Sequence, residues 1–257
     1  MKHKAAAVFV VVAFIAGALV TYLVFARQIG VTRHQRAIAE LSNTSADVES
    51  RLRQQSAALT RQLSAFCRSV AADREFSMLL LVENNRVASA VTELAGSYRG
   101  PMGFDLLDII DSGGVLVSCG SEPARTGITV QDRIALLGAT AQVIMDTAGS
   151  LPGFSWQARC NFTIADIPFS CTGGYRIDDS FLRNLTSRPG IRLILRSGDR
   201  VTGMPNVRTI SDIVNNTIVI NNTIYLAAPV ALAGIGTTPV SLFAVMDMPA
   251  GMQTKQP

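Results

Sequence analysis

The sequence predicts an α+β protein: an N-terminal transmembrane helix, a long helical stalk, and an antiparallel sheet flanked by short helices. Three observations carry this expectation. Ala5–Ala26 is an apolar run of 22 residues without a charge, long enough as a helix to cross a hydrocarbon core of about 30 Å. Residues 31–94 contain neither Pro nor Gly and carry apolar side chains at helical spacing. Beyond residue 96, short β-prone runs alternate with Gly, Pro and Asn clusters, the signature of strands joined by tight turns.

The segments follow from these patterns. Residues 1–4 precede the membrane anchor at 5–26; Lys2 and Lys4 stand before it and Arg27, Arg33 and Arg36 after it, so positive charge alone does not orient it. A cleaved signal peptide is the rival, with small residues Val24 and Ala26 flanking Phe25, but the apolar core is longer than the roughly 7–15 residues such peptides use. In the stalk, residues 27–95, Ile38, Leu41, Val48, Leu52, Leu59, Leu63, Phe66 and Val70 recur at steps of 3, 4 or 7. Ser45 and either Gln55 or Ser56 interrupt that stripe, so it reads as an imperfect heptad seam able to pair in a dimer or to pack on its own domain. Asp73–Leu94 continues as helix, and Gly96, Gly100 and Pro101 end it.

The sheet domain, residues 96–248, begins with a hairpin. Phe104–Ile110 and Val115–Cys119 flank Asp111-Ser112-Gly113-Gly114, whose glycines supply the positive φ of a tight turn. Val130–Ala148 reads as a helix, Phe154–Phe162 and Ile167–Gly173 as a second strand pair turning at Ala165-Asp166, and Ile177–Thr186 as a short helix begun by Asp178-Asp179. Ile191–Arg196 is a strand, Gly198–Asn206 a turn-rich excursion, Thr217–Ile220 and Thr223–Pro229 a hairpin around Asn221-Asn222, and Val240–Met246 the last strand. Residues 249–257 read as a loose tail. No internal repeat is visible, and one domain is the economical count.

Four cysteines, at 67, 119, 160 and 171, leave two readings open: two disulfides, or four buried thiols. In the first, Cys160 and Cys171 face each other across the second strand pair, and Cys67 pairs with Cys119. A zinc site lacks a Cys-X-X-Cys pair, and the two histidines, His3 and His34, lie at and just past the membrane segment, which also removes a Ser-His-Asp triad. No cofactor or metal is expected. The net charge of +4 comes from scattered Lys and Arg, so nucleic acid is not an expected partner. Asp105, Asp108 and Asp111 stand three apart, which on a strand alternates faces, and they read as turn and surface aspartates.

The order of segments carries a resemblance. The strand-turn-strand run Asp108-Ile109-Ile110-Asp111-Ser112-Gly113-Gly114-Val115-Leu116-Val117-Ser118, and the later run Gly173-Gly174-Tyr175-Arg176-Ile177-Asp178-Asp179-Ser180-Phe181-Leu182, resemble segments of the extracytoplasmic single-Cache, PAS-like sensor region of bacterial membrane-bound sensor histidine kinases. The resemblance implies a single-pass inner-membrane protein with a cytoplasmic N-terminus and a periplasmic sensor that is not itself an enzyme. It implies a small-molecule ligand, with Trp156, Arg159, Tyr175, Arg176 and Arg125 as candidate binding residues, the arginines suiting a carboxylate or phosphate. The heptad seam of the stalk suggests a homodimer. Because the kinases continue into a second transmembrane helix and catalytic domains past the last strand, the output module is expected to be either missing from this sequence or a separate kinase or regulator. A periplasmic interaction scaffold without a small ligand is the alternative.

Overall fold

The computed structural model describes residues 2–74, 77–78, 89–138, 140–146, 153–232 and 240–248, with the side chains of residues 2–16, 89, 90 and 146 left out. Helix α1, Lys2–Ala72, is 71 residues long. Its apolar stripe is not a free seam: Leu41, Val48, Leu52, Leu59, Leu63, Phe66 and Val70 are all buried, and the helix lies against strands of both sheets of the molecule. The serines on the stripe bond to those sheets. Ser45 Oγ donates to the Pro229 carbonyl, and Ser56 Oγ accepts from Ala141 N–H at 3.2 Å. Gln62 adds a bond of 2.6 Å to the Met102 carbonyl. Polar positions on the stripe therefore fix where each sheet sits along the helix, while the leucines supply the burial.

The single sheet expected from sequence is two. After helix α2, Ser89–Arg99, come β1 (Leu106–Asp111), β2 (Leu116–Cys119), the short helix α3 (Gln131–Leu136), β3 (Gln142–Asp146), β4 (Gly153–Ile164) and β5 (Ile167–Ile177). Helix α4 (Asp179–Leu185) leads to β6 (Ile191–Ser197), β7 (Arg200–Thr202), β8 (Thr217–Ile220), β9 (Thr223–Val230) and β10 (Val240–Asp247). The first five strands order as β2-β1-β5-β4-β3 and the last five as β7-β6-β10-β9-β8, the same antiparallel order twice. The chain thus holds a structural repeat that its residues do not announce. Along α1, the N-terminal part of the buried stripe supports the second sheet and the part from Ser56 to Val70 the first.

Turn chemistry is where expectation and structure agree most closely. Ala165 and Asp166 (φ 45° and 67°) join β4 to β5, and Asn221 and Asn222 (φ 48° and 65°) join β8 to β9, the two-residue left-handed turns whose twist suits a hairpin. Asp111 Oδ1 accepts from the N–H groups of Gly113 and Val115 at 2.8 and 2.9 Å, closing the β1–β2 turn. The helix expected over Val130–Ala148 is instead α3 followed by β3: Val143 and Ile144 are buried as neighbours on a strand paired to Trp156 and Ser155 of β4. A short apolar run fits either state locally, and sheet pairing decided it. Residues 75–76 and 79–88 of the expected helix, and the tail at 249–257, lie outside the described residues.

The cysteines pair differently from expectation. Cys160 and Cys171 are opposed in the β4–β5 register, yet Cys160 is bonded to Cys67 of α1, with Cα atoms 6.8 Å apart. Both strand cysteines face α1, and the Cys160 sulfur sits over the helix, beside the Leu63 carbonyl; Cys67, one turn on, is its partner. The pair Cys67–Cys119 is ruled out by face, because Cys119 is opposite Asp108 on the other side of the sheet. Cys119 and Cys171 are buried free thiols. Burial, followed by the negative charge of Asp108, raises the Cys119 thiol to about 11 and pushes Cys171 up as well.

Among the described residues no helix is long and apolar enough to cross a membrane. The span expected at 5–26 falls mostly on residues whose side chains lie outside the description. From Leu19 to Phe25 the described part is exposed throughout, Tyr22 at 71% and Phe25 at 64%.

Candidate functional site

The face of the first sheet turned away from α1 is polar and buried. Along β1, Leu107 and Ile109 point to the helix, leaving Asp108 on the opposite face at 2% exposure. Alternation on β4 and β5 brings Ser155, Gln157 and Thr172 to the same side, all at most 2% exposed. Helix α3 covers this face because Val130 and Ile134 pack with Ile110 and Leu116 in a small apolar cluster. That anchoring delivers Arg133.

One guanidinium nitrogen of Arg133 makes three contacts: Asp108 Oδ2 at 2.9 Å, Gln157 Oε1 at 2.7 Å and Thr172 Oγ1 at 3.4 Å. Gln157 is oriented in turn by donating to Ser155 Oγ at 2.7 Å. Asp108 Oδ1 is buried and accepts no N–H or O–H hydrogen bond among the described residues; its neighbour there is the Cys119 thiol. Of these groups, Asp108, Arg133 and Ser155 border a cavity of about 40 Å³ lined also by Arg125, Glu122, Ser121 and Arg176. Arg125 is buried, with its Nε 4.0 Å from Glu122 Oε2, and the Arg176 side chain has no ion pair among the described residues. Three arginines against two carboxylates leave an excess of positive charge beside a buried carboxylate oxygen. Such an arrangement presents groups of both signs of charge toward one small space.

Of the residues proposed from sequence, Arg125 and Arg176 line the cavity. Arg159 lies on the same face but is spent on structure, donating to Asn161 Oδ1, the Ile134 carbonyl and Ser170 Oγ at 3.0, 3.2 and 3.0 Å, which ties α3 to β4. Trp156 is on the α1 face in the core, and Tyr175 packs edge-on against Phe104 at 5.9 Å on that same side. Burial, with Asp105 second, raises the Tyr175 phenol. Sequence reasoning missed Asp108, which is no surface aspartate, and missed Arg133, Ser155, Gln157 and Thr172. Strand alternation running outward from Asp108 would have placed it opposite Leu107 and Ile109; nothing in the sequence pairs it with an arginine on a separate helix.

The second sheet supplies an internal comparison. Its corresponding face carries Ile194, Ile218, Ile220, Ala227 and Val245, covered by Met204, Val207, Ile210 and Ile213 of the β7–β8 excursion. One repeat keeps its outer face polar around a cavity; the other fills it with hydrocarbon. Two larger surface grooves adjoin the second sheet, of about 470 and 590 Å³, but their arginines, Arg183, Arg188 and Arg192, are solvent-exposed.

No family model matches the chain, and no curated protein matches it by sequence. Solved structures do match. The sensor domain of the Vibrio cholerae histidine kinase DctB aligns over 84% of this chain and 98% of its own, with 9% identity and a TM-score of 0.54. The sensory domain of the Campylobacter jejuni chemoreceptor Tlp3 with isoleucine bound aligns over 85% and 95%, with 15% identity and a TM-score of 0.53. The periplasmic domain of V. cholerae LuxQ aligns over 80% and 99%, with 14% identity and a TM-score of 0.50. The chain has the fold of these sensor domains of a histidine kinase and a chemoreceptor and of the LuxQ periplasmic domain.

Proposed function

We propose that this protein is a membrane-anchored, extracytoplasmic sensor that binds a small zwitterion, an amino acid or a close relative, in the cavity of its first sheet. The observation that carries the reading is the buried Asp108, set among Arg125, Arg133 and Arg176 on one repeat while the other repeat closes the same face with apolar side chains. The carboxylate takes the ligand's ammonium; Arg125 and Arg176 take its carboxylate. The isoleucine bound by the Tlp3 domain is a ligand of that class. The uncharged run 5–26 and the exposed apolar residues that follow from Leu19 to Phe25 support a single inner-membrane span. The signal leaves along α1, which touches both sheets, toward an output module, with dimerisation through the exposed side of the helix.

Isothermal titration of the full chain in detergent against the twenty amino acids and a set of dicarboxylates tests the reading. Binding by at least one zwitterion, abolished by Arg176→Ala, is expected. Binding of dicarboxylates alone would contradict the zwitterion assignment, and no binding at millimolar concentrations would favour a scaffold that acts without a small ligand.

A further inference from the structure

The cavity in this structure is too small for the ligand proposed for it. About 40 Å³ holds one or two waters, whereas metabolite pockets run to hundreds of Å³. Arg133 is one of the groups that line the cavity. Its single nitrogen meets a carboxylate, an amide oxygen and a hydroxyl at 2.9, 2.7 and 3.4 Å. That is the environment of an alkylammonium, which carries three hydrogens; a terminal guanidinium nitrogen carries two and must share them. The three acceptors belong to three strands, Asp108 on β1, Gln157 on β4 and Thr172 on β5, whose spacing is set by the sheet and not by Arg133. Arg133 itself comes from the six-residue helix α3, which is held by Val130 and Ile134. The Arg133 side chain is 13% exposed against 3% for Asp108, so of the two it is the one that borders solvent at the mouth.

We infer that Arg133 is an internal competitor: it occupies the ammonium position of the ligand in the empty sensor, and the ligand binds by expelling it. This rests on the pocket reading above and adds its regulation. The apparent affinity is then the intrinsic one multiplied by the fraction of molecules in which Arg133 has left. The expelled guanidinium carries the binding event to α3, and through the Arg159 bond to the Ile134 carbonyl to β4, the strand bonded to α1 through Cys160.

The test uses the full chain in detergent, with glycine as the minimal zwitterion, methylammonium as the ammonium alone and acetate as the carboxylate alone. If Arg133 is present in the pocket more than about nine-tenths of the time, Arg133→Ala tightens glycine and methylammonium binding at least tenfold and leaves acetate weak, and Arg133→Lys, which restores a tethered ammonium, binds both no better than wild type. Equal or weaker binding of glycine and methylammonium by Arg133→Ala overturns the inference and makes Arg133 a ligand contact or a structural group. Should the alanine variant fail to fold, the wild-type chain decides: glycine at saturation raises phenylglyoxal modification of Arg133, read by peptide mass spectrometry, if the side chain is expelled, and lowers it or leaves it unchanged if the inference is wrong. Absence of glycine binding to every variant, together with absence of any hit in the amino-acid panel, overturns the pocket reading itself; a panel hit with no gain on removing Arg133 overturns only the competitor.

Discussion

Removing the Cys67–Cys160 bridge is the perturbation whose size the structure sets most directly. The two residues are 93 apart in sequence, and in the chain-entropy model a loop of that length restricts the unfolded state by about 4–5 kcal/mol at 25 °C. Among the described residues, α1 otherwise meets β4 through the apolar cluster that includes Leu59, Leu63 and Phe66. For a domain of this size a loss of that order lowers the melting temperature by about 10–15 °C. Thermal unfolding followed by circular dichroism, on wild type with and without reductant and on Cys67→Ser, measures it. Cys171→Ser is the control, since it removes a buried thiol but no bond, and is expected to cost about 1–2 kcal/mol for placing a hydroxyl in the core. A reduced protein melting within 2–3 °C of the oxidised one, about the effect of 1 kcal/mol, would refute the argument. So would four alkylatable thiols in unreduced, denatured protein. In Cys67→Ser the freed Cys160 is left opposite Cys171, so oxidation is expected to produce that strand-to-strand pair in its place.

Asp108→Ala leaves Arg133 without its carboxylate and is expected to destabilise by about 3–5 kcal/mol, the range for breaking a buried pair by removing one partner; denaturant unfolding measures it. Gly173→Ala puts a Cβ 2.9 Å from Leu63 Cδ1 and 3.3 Å from Leu107 Cδ1, overpacking expected to cost about 1–3 kcal/mol, and Leu63→Val in the same chain should recover part of it. Gly174→Ala directs its Cβ into the Trp156 carbonyl of β4, a backbone neighbour that no rotamer change relieves, so soluble expression is expected to fall more than for Gly173→Ala. Asp178 caps α4 by accepting from Phe181 N–H at 2.8 Å, and that bond, with the Ser180 hydroxyl second, holds its carboxyl below the ordinary value. Its contribution is present above the unfolded aspartate value and is lost as pH falls through the lower folded one; Asp178→Ala should cost about 1 kcal/mol at neutral pH and show a smaller difference from wild type in acid melts.

The sequence by itself determined those features whose cause is local. The stripe from Leu41 to Val70 announces a buried helix face; Asn221-Asn222, Ala165-Asp166 and Asp111 announce their turns; and Asp178-Asp179 announces the start of α4, with Phe181, Leu182 and Leu185 following at helical spacing. Tertiary structure decided whatever depends on which face meets which neighbour. Cys160 lies across from Cys171 in sequence logic, but the helix covering their shared face brings Cys67 to it. Residues 142–146 became strand because β4 had an unpaired edge to offer. The repeat of two sheets stayed hidden because its copies keep only strand order, one outer face having turned polar and the other apolar. Asp108 and Arg133 are 25 residues apart on different elements, and no local pattern couples them; only the packing of Val130 and Ile134 on β1 and β2 carries that arginine over Asp108.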